Sequence, residues 1–203
     1  FQAGDAAIIL AAYARWGANC VDHLAGDFAF AVWDGGAHRM FCARDPLGVK
    51  PLVYHSSPGL FACASEANAL LVLPGVPRRI DEARIADYLV PELEGIDHTG
   101  TFFEGIRRLP PAHTLTAGAG GTRVRRYWAL DPEAEIRLPR EDDYVEAFRS
   151  HFAEAVRRRL RSWTPAGSML SGGLDSSSIV GVARDLRRAA GEAPPPGGEP
   201  FAP

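Results

Sequence analysis

Gly167-Ser168-Met169-Leu170-Ser171-Gly172-Gly173-Leu174-Asp175-Ser176-Ser177 is the stretch on which the reading of the fold turns. A short apolar run, a glycine pair and a polar helix start follow one another. That order predicts a buried strand over residues 167–170, a sharp turn, and a helix opening at Asp175 and running to about Ala190. Gly172 and Gly173 carry no Cβ, so a ligand can approach the backbone closely. The first amides of a helix have no intrahelical acceptor, and the helix dipole favours negative charge beside them. Ser171, Ser176 and Ser177 add hydroxyl donors. Asp175 alone would repel a phosphate, but Mg2+ between its carboxylate and the phosphates removes the conflict. The lysine of a G-x-x-x-x-G-K-[ST] loop is absent, so this is a phosphate loop of another kind.

Bulk properties narrow the field around this stretch. The chain has 203 residues, enough for one or two domains. Hydrophobic residues make up 46% and charged residues 23%, which places it with soluble globular chains rather than disordered ones. The formal net charge is −3, so no basic balance points to nucleic acid. The basic run Val156-Arg157-Arg158-Arg159-Leu160-Arg161 reads as the solvated face of a helix. The three cysteines, Cys20, Cys42 and Cys63, show neither metal spacing nor a paired framework, and their odd number suggests a reducing compartment, the cytoplasm. Cys42 and Cys63 fall in apolar runs and read as packing residues rather than nucleophiles. The six histidines form no metal pattern. No stretch has the length of a membrane span, and no signal peptide is visible. The chain opens on Phe1 and reads as interior sequence from its first residue, which suggests a fragment.

Upstream of the glycine stretch, the first 128 residues predict short antiparallel strands with helices, an α+β layered domain. Asp5 reads as the N-cap of a helix to Trp16, ended by Gly17. Strands are expected over residues 27–33, 39–44, 52–54 and 60–64, the first pair joined by Asp34-Gly35-Gly36 and the second by Ser56-Ser57-Pro58-Gly59. Asp45-Pro46-Leu47-Gly48 reads as a tight turn fixed by an Arg44–Asp45 ion pair. Ser65 or Glu66 caps a helix to Leu73, and Asp81 caps one over residues 82–90. Residues 91–100 read as loop. Two more strands, near residues 113–116 and 122–128, flank a glycine-rich turn. Residues 129–140 read as a linker. Beyond it, Tyr144, Val145, Phe148, Phe152, Val156 and Leu160 keep helical spacing, and the glycine stretch begins a parallel-sheet α/β unit. The proline-rich tail over residues 193–198 reads as a mobile loop.

The Ser171–Ser177 stretch resembles the SGGxDSS pyrophosphate loop of the N-type ATP pyrophosphatases, which split ATP into AMP and pyrophosphate, usually while adenylating a carboxylate or carbonyl oxygen. Further segments narrow the resemblance. They are Gly26-Asp27-Phe28-Ala29-Phe30-Ala31-Val32-Trp33-Asp34, Arg44-Asp45-Pro46-Leu47-Gly48-Val49-Lys50-Pro51-Leu52, Ala64-Ser65-Glu66, and Thr101-Phe102-Phe103-Glu104-Gly105-Ile106-Arg107-Arg108-Leu109-Pro110-Pro111 with Tyr127-Trp128. Together they are similar to the type II glutamine amidotransferase domain as fused to the synthetase domain in glutamine-hydrolysing asparagine synthetases. The resemblance implies an N-terminal-nucleophile-type αββα sandwich, incomplete here, over residues 1–128. It also implies the start of an α/β parallel-sheet ATP pyrophosphatase domain over residues 141–203.

What the family does follows as expectation. An N-terminal cysteine, with its own α-amine as base, attacks the glutamine amide and releases ammonia. The ammonia travels through a tunnel to a site where ATP has adenylated the aspartate side chain, giving asparagine, AMP and pyrophosphate. Glutamine, aspartate, ATP and Mg2+ are the implied substrates and cofactors. Neither nucleic acid nor membrane is implied, and a homodimer is left open. Asp5, in Gly4-Asp5-Ala6-Ala7-Ile8-Ile9, matches the family's S-D-x-E-V-I-L segment, whose aspartate holds the glutamine α-ammonium; the family's glutamate is Ala7 here. Leu170, Ser171, Gly172, Gly173, Asp175 and Ser176 match the ATP site. Leu170 would touch the adenine or ribose, the Ser-Gly-Gly backbone the phosphates, and Asp175 the Mg2+-pyrophosphate. The family's nucleophilic cysteine would precede Phe1, so no catalytic group is expected within the chain. The competing readings are a lasso-peptide cyclase or β-lactam-synthetase-like amide ligase without glutaminase activity, and a non-catalytic binding module. A tRNA-modifying ligase shares the loop but should not carry the first 128 residues. The 203-residue chain alone is therefore expected to release no glutamate from glutamine and to make no asparagine. Glutamate release by the purified chain in a coupled assay would overturn that expectation.

Overall fold

A computed structural model describes residues 4–93, 96–160 and 167–191. The chain divides into two compact units, Phe1–Asp131 and Pro132–Pro203.

The first unit is mixed α/β with two antiparallel sheets. Helix α1 (Asp5–Trp16) is followed by a 3-10 helix (Gly17–His23), then β1 (Ala29–Asp34), β2 (Arg39–Arg44), β3 (Val53–Ser57), β4 (Leu60–Ala64), α2 (Ala67–Leu71), α3 (Glu82–Leu89), β5 (Ile106–Arg108), β6 (His113–Gly118) and β7 (Gly121–Arg126). One sheet has four strands in the order β1-β2-β6-β7, the other three in the order β4-β3-β5. Every pairing is antiparallel, with Val32 opposite Phe41, Cys42 opposite Leu115, and Val53 between Ala64 and Arg108.

The two-residue period of a strand sorts the side chains into layers. On β2, Phe41 and Ala43 turn to one face and meet Ala12, Cys20 and Val21 of the helical segments, with Phe28, Phe30 and Tyr127 around them. On the opposite face, Met40 and Cys42 join Leu115 and Ala117 of β6. There they pack on Leu52, Tyr54, Phe61 and Cys63, so the two sheets meet face to face. Val53 and Ile106 turn to the far side of the second sheet and pack on Leu70, Leu71 and Val76. The order is helix, sheet, sheet, helix. Strand β7 is exposed along its whole length and carries Arg123, Arg125 and Arg126, charges that discourage pairing with another chain at that edge.

The turn after β2 ties the layers together. Asp45 is 1% exposed. Its Oδ1 accepts from the amides of Leu47 (3.1 Å) and Val49 (2.9 Å), and its Oδ2 from Lys50 (2.9 Å). Arg44 donates from Nε to the Lys50 carbonyl (2.8 Å), from Nη2 to Gly48 (2.7 Å) and from Nη1 to Leu109 (2.7 Å). The expected Arg44–Asp45 ion pair is absent. The guanidinium takes carbonyls and the carboxylate takes amides, because a tight turn exposes both kinds of backbone group and each needs a partner. Gly48 has φ +68°, and a Cβ there would meet Pro111 Cγ at 2.7 Å, so only glycine fits.

Several expectations shift. Asp5 is the first helical residue, not the cap: Gly4 holds the N-cap position, with no side-chain hydrogen bond. Helix α2 is shorter than expected, and Glu66 stands at its N-cap without capping it. Asp81 caps α3 as expected, accepting from the Arg84 amide at 3.0 Å. Strand β5 was not foreseen; three residues carry too little alternation to read, and β3 supplies the ladder that makes them a strand.

In the second unit, α4 (Glu141–Arg159) and α5 (Leu174–Ala189) are the regular elements among the described residues. The expected strand over residues 167–170 is not formed, and Met169 is 93% exposed. A strand exists only by pairing with a neighbour, and the described part of this unit contains no other strand to pair with. Arg157 and Arg158 pair with Glu154 on the solvated face of α4, as the basic run implied. Arg161 and the proline-rich tail lie outside the described residues.

Asp45→Ala should orphan three amide donors and cost about 3 kcal/mol of unfolding free energy, at about 1 kcal/mol for each lost partner. Urea denaturation of the variant against the parent measures this; a loss under about 1 kcal/mol would show that the turn holds without its carboxylate.

Candidate functional site

The glycine stretch forms a compact polar turn at the start of α5. Gly172 has φ +81°, and Gly173 is the N-cap, with φ −82° and ψ 166°. The Ser171 and Ser176 hydroxyls lie 3.1 Å apart, and the Ser171 amide donates to Ser176 Oγ at 3.3 Å. The Gly173 amide donates to Ser171 Oγ (3.4 Å), while Ser176 Oγ (3.3 Å) and Ser177 Oγ (2.9 Å) donate to the Gly173 carbonyl. The serines thus bind the turn across itself. The amides of Leu174, Asp175 and Ser176 have no acceptor within the helix and remain at the positive end of its dipole.

Of the residues expected at a nucleotide site, Ser171, Gly173 and Ser176 are joined by these hydrogen bonds. Gly172 supplies the bend, and Asp175 sits exposed in the first turn of α5, while Leu170 precedes the turn at 43% exposure. A groove of about 470 Å3 runs beside them between α4 and α5, lined by Phe148, Phe152, Asp175, Ile179 and Asp185 among others. Phe148 and Phe152 stack with ring centres 5.7 Å apart. Among the described residues no group of three or more His, Cys, Asp or Glu side chains is placed to hold a metal.

In the first unit, Asp5 is exposed in the first turn of α1, where its charge also favours the helix end. A second cleft, of about 260 Å3, is lined by Arg44, Leu52, Ser65, Glu66, Thr101 and Arg108 among others. Sequence reasoning did not find this cleft, because β5 and the segment before it bring Thr101 and Arg108 to β3 only in three dimensions. It also missed that Cys42 and Cys63 face each other, at 3.9 Å between their sulfurs. The alternation of β2 was the available signal, since it turns Cys42 away from Phe41.

A family model described as a glutamine amidotransferase domain matches residues 1–128. The chain belongs to that family. A second model, asparagine synthase, matches residues 147–195 of this amidotransferase chain, a span that contains the whole glycine stretch. The chain is 39% identical over 193 residues to asparagine synthetase [glutamine-hydrolyzing] 3 of Bacillus subtilis, covering 95% of the chain and 31% of that protein. It is 32% identical to the amidase chyE of Penicillium rubens, covering 91% of the chain and 27% of the relative. A putative glutamine-hydrolysing asparagine synthetase of Mycobacterium tuberculosis is 33% identical, with 89% and 28% covered. The chain thus spans less than a third of the length of these curated relatives.

The two glycines of the turn should respond differently to a methyl group. Gly172→Ala must hold a left-handed backbone and should cost about 1–2 kcal/mol of local stability, although nothing lies within 4 Å of the added carbon. Gly173→Ala keeps an extended backbone and loses only the preference of an N-cap for glycine over alanine, so it should cost less, about 0.5 kcal/mol. Hydrogen exchange at the first amides of α5 reports both changes; equal effects would refute the assigned turn.

Proposed function

We propose that residues 1–128 are part of the ammonia-producing half, and residues 141–203 the beginning of the ammonia-consuming half, of a glutamine-dependent asparagine synthetase, with residues 129–140 as the linker. The observation that carries this reading is the Ser171–Ser177 turn at the head of α5, in the same chain as the amidotransferase sandwich. The sandwich is read as the N-terminal-nucleophile type, and the second unit as the opening of a parallel-sheet ATP pyrophosphatase domain. The full-length protein is read as a cytoplasmic ligase; no described helix is long and apolar enough to cross a membrane.

The donor set suits a nucleotide. The free amides of α5 and the hydroxyls of Ser171, Ser176 and Ser177 address anionic oxygens, and Leu170 offers an apolar contact to the base or sugar. Asp175 is the one carboxylate of the stretch, which fits Mg2+ held jointly by protein and phosphates. Asp175 would hold the Mg2+, which would supply charge neutralisation for the departing pyrophosphate. The residues of this chain would fix the phosphates in line. In the first unit, Asp5 would hold the α-ammonium of glutamine. A second reading keeps the ATP chemistry but changes the carboxylate that is activated, as in a cyclase or another amide ligase. It is favoured by relatives named as amidases at 32% and 33% identity.

The full-length protein, given glutamine, aspartate and Mg-ATP, should yield glutamate, asparagine, AMP and pyrophosphate. Asp175→Asn should cut pyrophosphate release by about 10²-fold or more while leaving glutamate release intact, and Asp5→Ala should raise KM for glutamine. Pyrophosphate formed without asparagine would move the assignment to the second reading, and undiminished pyrophosphate release in Asp175→Asn would remove Asp175 from the site.

A further inference from the structure

The interior between the two sheets holds a pair of groups that the proposed chemistry leaves unused. Cys42 on β2 and Cys63 on β4 face one another, with Sγ to Sγ at 3.9 Å. Both are free thiols; Cys42 is fully buried and Cys63 partly exposed. They belong to one apolar cluster with Leu52, Leu109 and Leu115 but to different sheets. We propose that Cys42 and Cys63 are a reversible disulfide site that bolts one sheet to the other, oxidised by exchange with a low-molecular-weight disulfide.

A disulfide needs its sulfurs at about 2 Å. The pair must therefore close by about 2 Å from the 3.9 Å at which the sulfurs stand. Access runs through Cys63. The Cys42 thiol points its S–H at Cys63, which stabilises a thiolate there and brings the Cys63 pKa down to about 7. The same hydrogen bond, with burial, pushes Cys42 up. A thiolate at Cys63 attacks one sulfur of the small disulfide, forming a mixed disulfide and expelling one small thiolate. Cys42 gives up its proton to that thiolate or to water and attacks Sγ of Cys63, and the second small thiolate leaves. One disulfide is reduced to two thiols and one protein disulfide is formed, so no other oxidant is needed. Cys20 is an internal control: it is buried on the other face of the four-stranded sheet, in the cluster under α1.

The test uses the folded full-length protein, incubated with excess oxidised glutathione, quenched by denaturation in an alkylating agent and digested with trypsin without reduction. The expected product is the peptide of residues 40–44 linked to the peptide carrying Cys63, separated again by dithiothreitol, with Cys20 recovered alkylated. Cys42→Ala should leave Cys63 carrying a stable glutathione, and Cys63→Ala should leave Cys42 unmodified. Recovery of Cys42 and Cys63 in the parent protein as separate alkylated thiols overturns the proposal. So does a Cys63–glutathione adduct beside an alkylated Cys42, since it shows that the second step does not occur.

Discussion

The first unit depends on the division of labour between two neighbouring side chains at the end of β2. Arg44 and Asp45 do not pair; they satisfy the backbone around them, one through its donors and the other through its acceptors. The consequences spread beyond the turn. The Asp45 amide donates to Phe28 ahead of β1, and the Ala112 amide donates to the Asp45 carbonyl just before β6. Tyr127, beyond β7, donates from its hydroxyl to the Arg44 carbonyl at 2.7 Å. The Leu109 carbonyl, held by Arg44, lies one residue past β5. One short turn thus fixes where both sheets begin and how they are spaced, and the apolar cluster around Cys42 and Leu115 fills the distance so defined.

The second unit is organised differently. Its polar turn is bound across itself by serine hydroxyls, but the apolar side chains around it are open. Phe148 is 68% and Leu174 87% exposed. Apolar exposure on this scale beside a polar turn marks a surface shaped to be covered. The groove between α4 and α5 brings Asp175 of the turn and Phe148 together, so covering the apolar wall and enclosing the polar turn are one event.

How much of this was legible in the sequence differs from residue to residue. The strands β1, β2 and β4 could be read because Phe30, Phe41 and Phe61 alternate with smaller or polar neighbours between clear turn signals. Asp81 could be read as a cap because its chemistry acts on the next three residues alone. Helix α5 could be read from its glycine start and apolar period. What failed has a common cause. The strand over residues 167–170 and strand β5 are both short, and pairing rather than local preference decides whether such a segment is a strand; β5 has β3 beside it and the other run has no described partner. Arg44 and Asp45 look like an ion pair in one dimension because nothing in the sequence shows that Leu109 comes back to the guanidinium. The candidate nucleotide residues were legible as a motif, since their hydrogen bonds span at most five positions.

The order β1-β2-β6-β7 sets a timetable for the chain as it is made. The hairpin of β1 and β2 is finished when residue 44 has been added, but β2 must wait for β6, and the turn at Arg44 for the hydroxyl of Tyr127. At a synthesis rate of about 5–20 residues per second, the wait for Tyr127 is on the order of 4–17 seconds. Until β6 has been made, the edge of β2 has no strand beside it, and the apolar face bearing Cys42 has only the second sheet's Leu52, Tyr54, Phe61 and Cys63 to cover it. The nascent chain therefore passes through a stage in which its best-formed element is also its stickiest, and the arginine-rich strand that blunts the finished sheet is the last of its four to arrive.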